Sequence, residues 1–380
     1  MRRRVLVICL SSDLPTDARV LRQVGFLADE YEVVLAGFAP APDLPAGATF
    51  LELSENGSAR RRYETPGRIA LRLVGAYRRA YWLEARVRRW RKELVESLPI
   101  DAIVVNELYS VPLALALEAG PVVFDSHEHW TSESASWSRV QRLSMGGSHE
   151  WIVDHEVPRT AGMMTVSTGI ANDYRDRIGK TPTVVTNAPV RQALAPSDVS
   201  DPIRLFHMGI ADERRRLEDT IQAVQMLEGR FTLDLVLMRD NSYRRRLEAL
   251  VAGDQRIRIL PPVRREEILE FANQYDVGVF LLPAQFPNQV HVLPNKLFDY
   301  IQARLAVAIG PSREMVDVVR KWDCGIISDD FRADSLAQAL SRLTPAEVRR
   351  MKANADLAAG TLNAEANREL VLRVVAGALR

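Results

Sequence analysis

The segment "IRLFHMGIADERRRLEDTIQAVQML", residues 203–227, carries a complete folding unit in its pattern. An apolar run ends at Gly209, a polar loop with three arginines follows, and apolar residues then recur at helical spacing. A short continuous apolar run suits a strand buried on both faces, and strand–loop–helix is the repeating unit of a parallel sheet. The unit recurs on both sides of this segment. Downstream, strands are predicted at 233–238, 256–260, 277–282, 305–310 and 325–328, separated by helices. Upstream, strands are predicted at 5–10, 31–38, 102–107, 121–126 and 163–167, with helices at 16–29, 65–97, 111–118 and 168–177. Between the two series lies a stretch rich in Pro, Ser, Ala and Asp, residues 186–202, which reads as a linker. The expected fold class is α/β, with two Rossmann-like, doubly wound domains facing a cleft, since ligands in such sheets bind beyond the carboxyl ends of the strands. The boundaries that follow are an N-terminal domain at 1–188, a linker at 189–202 and a C-terminal domain at 203–365. A helix at 366–380 is expected to pack back on the first domain.

Composition excludes several classes. The 380 residues are 47% apolar and 26% charged, which is ordinary for a globular enzyme and too apolar for a disordered chain. A formal net charge of +1 argues against bulk nucleic-acid binding. Cys9 and Cys324 lie in separate apolar strands and read as small buried hydrophobes, which suits a reducing, cytoplasmic setting. No uninterrupted apolar run reaches membrane-spanning length. "MRRRVLVICLSSD" imitates a secretion signal in outline, but Val5–Leu10 is too short for its apolar core and reads as a first strand. The glycine fingerprint of dinucleotide binding is absent after that strand, and no phosphate-binding P-loop, serine elbow or zinc-spaced His/Cys cluster occurs.

"LPNKLFDY", residues 293–300, supplies the positive evidence. Pro294 is pre-set for a helix start, and the N–H groups after it can face an anion. Lys296 adds a cation beside the positive end of the helix dipole. Asp299 could accept hydrogen bonds from a ribose diol. After the strand at 203–209, Arg214 and Arg215 stand in a loop beyond a carboxyl edge, where one or two guanidiniums could clamp a diphosphate. A solvated position suits Arg214 better than Arg215.

These segments resemble a family-4 type retaining glycosyltransferase of GT-B fold, over nearly the whole chain. In the first domain "PTDARVLRQVGFLADEYEVVLAG" is similar to the family's opening strand, loop and helix, "VVFDSHEHW" to the strand that ends in a histidine, and "VSTGIANDYRDR…VVTNAPV" to the segments near the hinge. In the second domain "FHMGIADERRRLEDTIQAVQML", "IRILPPVRREEILEFANQYDVGVFLLP" and "LPNKLFDYIQARLAVAIG" resemble the phosphate-clamp loop, the base-binding region and the donor motif. The resemblance implies transfer of a sugar from a UDP-, GDP- or dTDP-linked donor to an acceptor hydroxyl, with retention, no metal and no separate cofactor. Roles implied as catalytic fall on His127, Arg215 and Lys296. Donor contacts fall on Gly209, Arg214, Val263, Arg264, His291, Leu293, Pro294, Asn295 and Asp299. Acceptor-side contacts fall on Asp13, Asp17, Glu128 and His129, within the segments 11–18, 55–75 and 126–150.

The chain departs from the family pattern in three places. His291 stands where the family has the first of two glutamates, Ser11–Asp13 replace a glycine-rich loop, and an arginine replaces the lysine after the first strand of the second domain. Other readings are therefore carried forward: an epimerase or inverting transferase of the same fold, and a non-catalytic relative. Residues 59–92 are strongly basic and include Trp82 and Trp90. They read either as a surface for peripheral contact with anionic membrane at its inner face, or as a helical hairpin with its tryptophans in the core.

Overall fold

The computed structural model describes residues 2–54, 65–97, 99–130, 147–283, 290–291 and 293–380. The described chain forms two compact units, residues 1–186 with 367–380, and residues 187–366.

The first unit is a seven-stranded, all-parallel sheet in the order β3-β2-β1-β4-β5-β6-β7. Its strands are β1 (Arg4–Ile8), β2 (Glu32–Gly37), β3 (Ala48–Glu52), β4 (Ala102–Val105), β5 (Val122–Ser126), β6 (Gly162–Thr165) and β7 (Thr183–Val184). Alternate residues of β1 serve opposite faces. Leu6 and Ile8 enter one apolar core, and Val5, Val7 and Cys9 enter the other. This two-sided burial is why the strand has no polar face to show in its sequence. Both cysteines are free and buried. Helix α1 (Ala18–Ala28) starts at Asp17, whose carboxylate caps the N–H groups of Arg19 and Val20. Val371 and Val375, from the helix Ala364–Ala378, lie in the same core as β1.

The expected helical stretch at 65–97, read also as part of a hairpin, is three helices: α2 (Pro66–Leu73), α3 (Tyr77–Trp82) and α4 (Ala85–Val95). Gly75, at φ +74°, breaks the first from the second. Trp90 is buried and its indole N–H donates to the Ser54 carbonyl, while Trp82 packs against the core. Arg68 and Arg72 are also buried, Arg68 against Glu84 and the Ala80 carbonyl. The exposed part of the described stretch includes Leu73, Val74, Arg78, Arg79 and Arg88. Residues 59–64 lie outside the described residues, as do 55–64 and 131–146 of the expected acceptor segments. β3 and β7 were not predicted. Neither shows a run of buried apolar residues.

The second unit is a six-stranded parallel sheet in the order β10-β9-β8-β11-β12-β13. Its strands are β8 (Ile203–Ile210), β9 (Phe231–Met238), β10 (Ile257–Leu260), β11 (Val277–Phe280), β12 (Ala306–Ile309) and β13 (Gly325–Ile327). Each falls within two residues of its prediction. Further helices of the two units include α5 (Val111–Leu115), α6 (Thr168–Ile178) and α7 (Leu217–Gln225). Residues 187–202 hold no helix or strand, yet they are fastened to this unit. Arg304 donates to the Gln192 carbonyl at 2.8 Å, and the ammonium of Lys352 donates to Ser197 Oγ at 2.9 Å and to the Tyr275 carbonyl at 2.8 Å. Asp276, buried 3.4 Å from that ammonium, accepts from the Ser200 and Arg204 N–H groups. Removing one partner of such a buried pair strands the other charge in the core, at a cost of roughly 3–5 kcal/mol. Lys352→Ala is therefore expected to lower the unfolding free energy, read from urea denaturation, by that amount. A loss below about 1 kcal/mol would mean that the backbone donors alone satisfy Asp276.

Candidate functional site

In each sheet the chain reverses its direction of winding between two neighbouring strands, β1 and β4 in the first unit and β8 and β11 in the second. Doubly wound sheets open a crevice at the carboxyl end of such a pair. Both units place polar side chains there.

In the second unit, β8 ends beside Gly209 and β11 ends at Phe280. Helix α8 (Asn295–Gln302) begins with Pro294 at its cap position, with no side chain capping its first turn. Lys296 reaches back from this turn and lies against Gly209: a Cβ on Gly209 would stand 2.6 Å from Lys296 Cε. Glycine suits this position, since its φ of +157° is one that L side chains rarely adopt and any side chain would also displace the lysine. The Lys296 ammonium sits over the Phe280 ring at 5.4 Å from its centre, and the Arg215 guanidinium lies 6.0 Å from the same centre. Arg215 closes a short helical turn, Glu213–Arg215, in the loop after β8. Among the described residues no carboxylate comes within ion-pairing distance of either cation. Burial, with help from Arg215, pushes the Lys296 ammonium down to about 8, and Asp299 only partly offsets this. Burial likewise lowers Arg215. Two facing cations desolvated on one aromatic ring, beside open helical N–H groups, define a site that an anion completes.

The other second-unit candidates fall at graded positions around this pair. Asn295 is exposed in the first turn, Pro294 is half-buried, and Asp299 lies one turn further along the same helix. Leu293 is buried in the apolar core, so only its backbone can reach a ligand. Arg214 is not brought to the cluster. It is exposed, and Asp212 grips it at 3.0 and 2.6 Å, because the short helical turn aims successive side chains apart. Arg264 is also exposed and pairs with Glu267, while Val263 packs on the core. His291 Nδ1 lies 3.8 Å from Glu314, a carboxylate in the first turn of the helix Arg313–Trp322.

In the first unit, Ser11, Asp17, Asn106, Glu107, Ser126, His127, Glu128, His129 and Tyr174 are among the residues lining a cavity of about 210 Å³. His127 follows β5, and its Nε2 lies 2.8 Å from the Asn106 side-chain oxygen and 3.4 Å from Asp125. Both neighbours are acceptors, so Nε2 carries the proton. Asp125 is buried and held by Arg19 at 2.6 and 3.0 Å and by Gln23 at 2.8 Å. Burial alone would raise this carboxyl, but Arg19 and then His127 outweigh it and hold the group well below the usual carboxylate range. His129 pairs with Asp173 at 3.2 Å and stacks on Trp130. Asp17 caps α1, and Asp13 is exposed at the start of the turn Leu14–Thr16.

Sequence reasoning missed Asn106 and Glu107, which it read as the end of a strand. Glu107 accepts from the Leu10 N–H at 2.9 Å and from the Cys9 thiol at 3.0 Å, and burial raises its carboxyl. Two polar residues directly after the apolar run "AIVV" were the available signal. His207, inside the run "RLFHMG", was missed as well. Among the described residues no cluster of three or more potential metal ligands occurs, and no helix is long and apolar enough to cross a membrane.

No family model matches the chain, and no curated protein does. Solved structures do match along almost its entire length. A sucrose-phosphate synthase from Thermosynechococcus elongatus aligns with a TM-score of 0.69 at 15% identity, covering 98% of both chains. A UDP-forming α,α-trehalose-phosphate synthase from Burkholderia xenovorans aligns at 0.66 and 15%, covering 99% of this chain and 100% of the other. HepE of Anabaena, solved in complex with UDP-glucose, aligns at 0.67 and 12%, covering 98% and 99%. The fold is thus the GT-B architecture of two parallel-sheet, Rossmann-like domains.

With burial pushing the Lys296 ammonium down to about 8, anion affinity at the cation pair is expected to fall above that pH. Diphosphate binding measured by calorimetry should weaken about tenfold between pH 7 and pH 9, and Lys296→Met should bind weakly with no such dependence. An affinity that stays flat to pH 9.5 in the wild type would remove Lys296 from the site.

Proposed function

We propose that the chain is a nucleotide-sugar-dependent glycosyltransferase of family-4 type, transferring a hexose with retention of anomeric configuration. The observation that carries this reading is the Lys296–Arg215 pair on Phe280, at the switch point of the second sheet. The diphosphate of a UDP-, GDP- or dTDP-sugar supplies the charge that this pair lacks. The glycosidic C–O bond to the terminal phosphate breaks and its electron pair moves to the phosphate oxygen. Lys296, Arg215 and the first-turn N–H groups of α8 stabilise the charge that develops there. Two protein cations make a metal unnecessary for this step. Asp299 suits a ribose diol, and His291 with Glu314 suits the hydroxyls of the sugar. The solved neighbours favour UDP as the carrier, since HepE has been captured with UDP-glucose and with UDP and glucose.

The first-unit cavity suits the hydroxyl-bearing acceptor, with His127 held by Asn106 and Asp125 at its wall. The acceptor oxygen bonds to the anomeric carbon on the face that the leaving group vacates, and its proton passes to the departing phosphate. Peripheral contact with an anionic membrane through 59–92 rests on exposed Leu73 and Val74 beside Arg78 and Arg79.

The deciding experiment is release of nucleoside diphosphate from UDP-, GDP- and dTDP-glucose with a panel of sugar acceptors. One donor should be consumed only when an acceptor is present, without loss in EDTA. Arg215→Ala should lower kcat by about 100-fold or more, the scale of one lost transition-state donor. Tight diphosphate binding without turnover of any donor would instead favour the non-catalytic relative.

A further inference from the structure

His207 is buried in β8, two residues before Gly209, and stands outside every role assigned above. Its Nδ1 lies 3.0 Å from the Val279 carbonyl, which can only accept, so Nδ1 carries the ring proton. Nε2 then presents a bare lone pair, and this atom is buried without a hydrogen-bond partner. A buried acceptor left unsatisfied is costly, and such an atom marks a missing donor. The ring lies nearly parallel to Phe280, at 20° with 6.1 Å between centres, so it neighbours the same aromatic residue as Lys296 and Arg215. The point where a Gly209 Cβ would stand is 3.1 Å from Lys296 Nζ and 3.7 Å from His207 Nε2, so the two nitrogens flank the same small space.

A diphosphate offers acceptors only, so it cannot satisfy Nε2. The ammonium can. Lys296 has three N–H donors on a flexible stem, and a change of its side-chain torsions brings one of them to Nε2 while the others stay free for phosphate oxygens. The geometry points to His207 as a positioning residue: its neutral Nε2 accepts one hydrogen bond from Lys296 and aims the rest of the ammonium at the anion. The absent side chain at Gly209 keeps the space between them open. Burial supports the neutral state, holding the imidazole down to about 3, with Lys296 and Arg215 acting in the same direction.

Among the described residues, the charged and titratable groups around Lys296 are few. Arg215 faces it from the loop after β8, with Asp212 beside Arg215. Asp299 and Tyr300 come from its own helix, and Tyr300 is tied to the Met208 N–H and the Val279 carbonyl. β11 contributes the uncharged Phe280. Removing the acceptor at 207 should therefore make the ammonium easier to deprotonate, with no other group changed.

This inference rests on the donor-site reading for its use but not for its test, which has an arm without nucleotide. The first arm titrates Lys296 by the ¹³Cε signal in wild type, His207→Leu and His207→Gln, after thermal melts confirm folding. His207→Leu should titrate about one pH unit lower, and His207→Gln, whose amide oxygen can stand near the Nε2 position, should return within a few tenths of wild type. The imidazole ¹⁵N signals should also show one neutral tautomer, protonated on Nδ1, down to pH 5. The second arm measures UDP affinity at pH 7. It should fall about tenfold in His207→Leu and recover to within threefold in His207→Gln. Unchanged Lys296 titration in His207→Leu overturns the proposal whatever UDP does, and so does equal impairment of both variants. If the first arm succeeds while wild type binds no UDP, the His207–Lys296 pairing stands and the nucleotide reading falls. Should His207→Leu fail to fold, a ring protonated on Nε2 or a Lys296 titration unmoved in His207→Gln relative to His207→Phe overturns it.

Discussion

Two positive charges placed against one ring, that of Phe280, with no carboxylate among the described residues within ion-pairing distance of either, form the constraint around which the second unit is arranged. Lys296 and Arg215 repel each other and are partly stripped of water, so the unliganded fold carries a local cost. That cost arises at the switch point between β8 and β11, where the winding direction reverses and a doubly wound sheet opens a crevice. The fold brings the cations together from residues 81 positions apart, one on the loop after β8 and the other in the first turn of α8. Glycine at 209 suits this, for a side chain there would push the end of the lysine aside. An incoming anion relieves the repulsion, and this differential stabilisation is what a transferase needs as charge develops on a leaving group.

The first unit is organised around the opposite sign. Asp125 is a buried carboxylate at the carboxyl end of β5, and Arg19, Gln23 and His127 converge on it. Arg19 comes from α1, which Asp17 caps, and it also donates to the Val185 carbonyl beyond β7. One ion pair therefore ties the first helix, the middle of the sheet and its far edge, and it fixes the imidazole of His127 at the cavity wall. Asn106 completes that orientation from the neighbouring strand end. A substitution at Asp125 would release a buried arginine and a histidine together, so its effects on stability and on the site are coupled.

How much of this was legible in the sequence follows from where each signal lies. Strands buried on both faces announce themselves as unbroken apolar runs, which is why β1, β4, β5, β8, β9, β11 and β12 were found close to their true ends. β3 is half-exposed on the sheet edge and has no such run. The helical stretch at 65–97 kept its apolar spacing across Gly75, and only the backbone reversal at that residue shows the break. Lys296, Arg215 and Gly209 were legible because charge or glycine next to a strand end or helix start is unusual on physical grounds. Arg214 was not separable from Arg215 by composition; the turn geometry decides which side chain turns inward. His207 and the Asn106–Glu107 pair were hidden for another reason. Each sits within or directly against an apolar run, and a polar residue there reads as part of the strand until its hydrogen bonds are seen.

The central claim is that the cation pair on Phe280 holds a diphosphate. A crystal structure with UDP bound tests this most directly. Phosphate oxygens within hydrogen-bond distance of both the Lys296 ammonium and the Arg215 guanidinium, beside the first turn of α8, are the predicted result. A diphosphate seated elsewhere, on the exposed Arg214 or in the first-unit cavity, with Lys296 and Arg215 left as they stand here, would contradict the account.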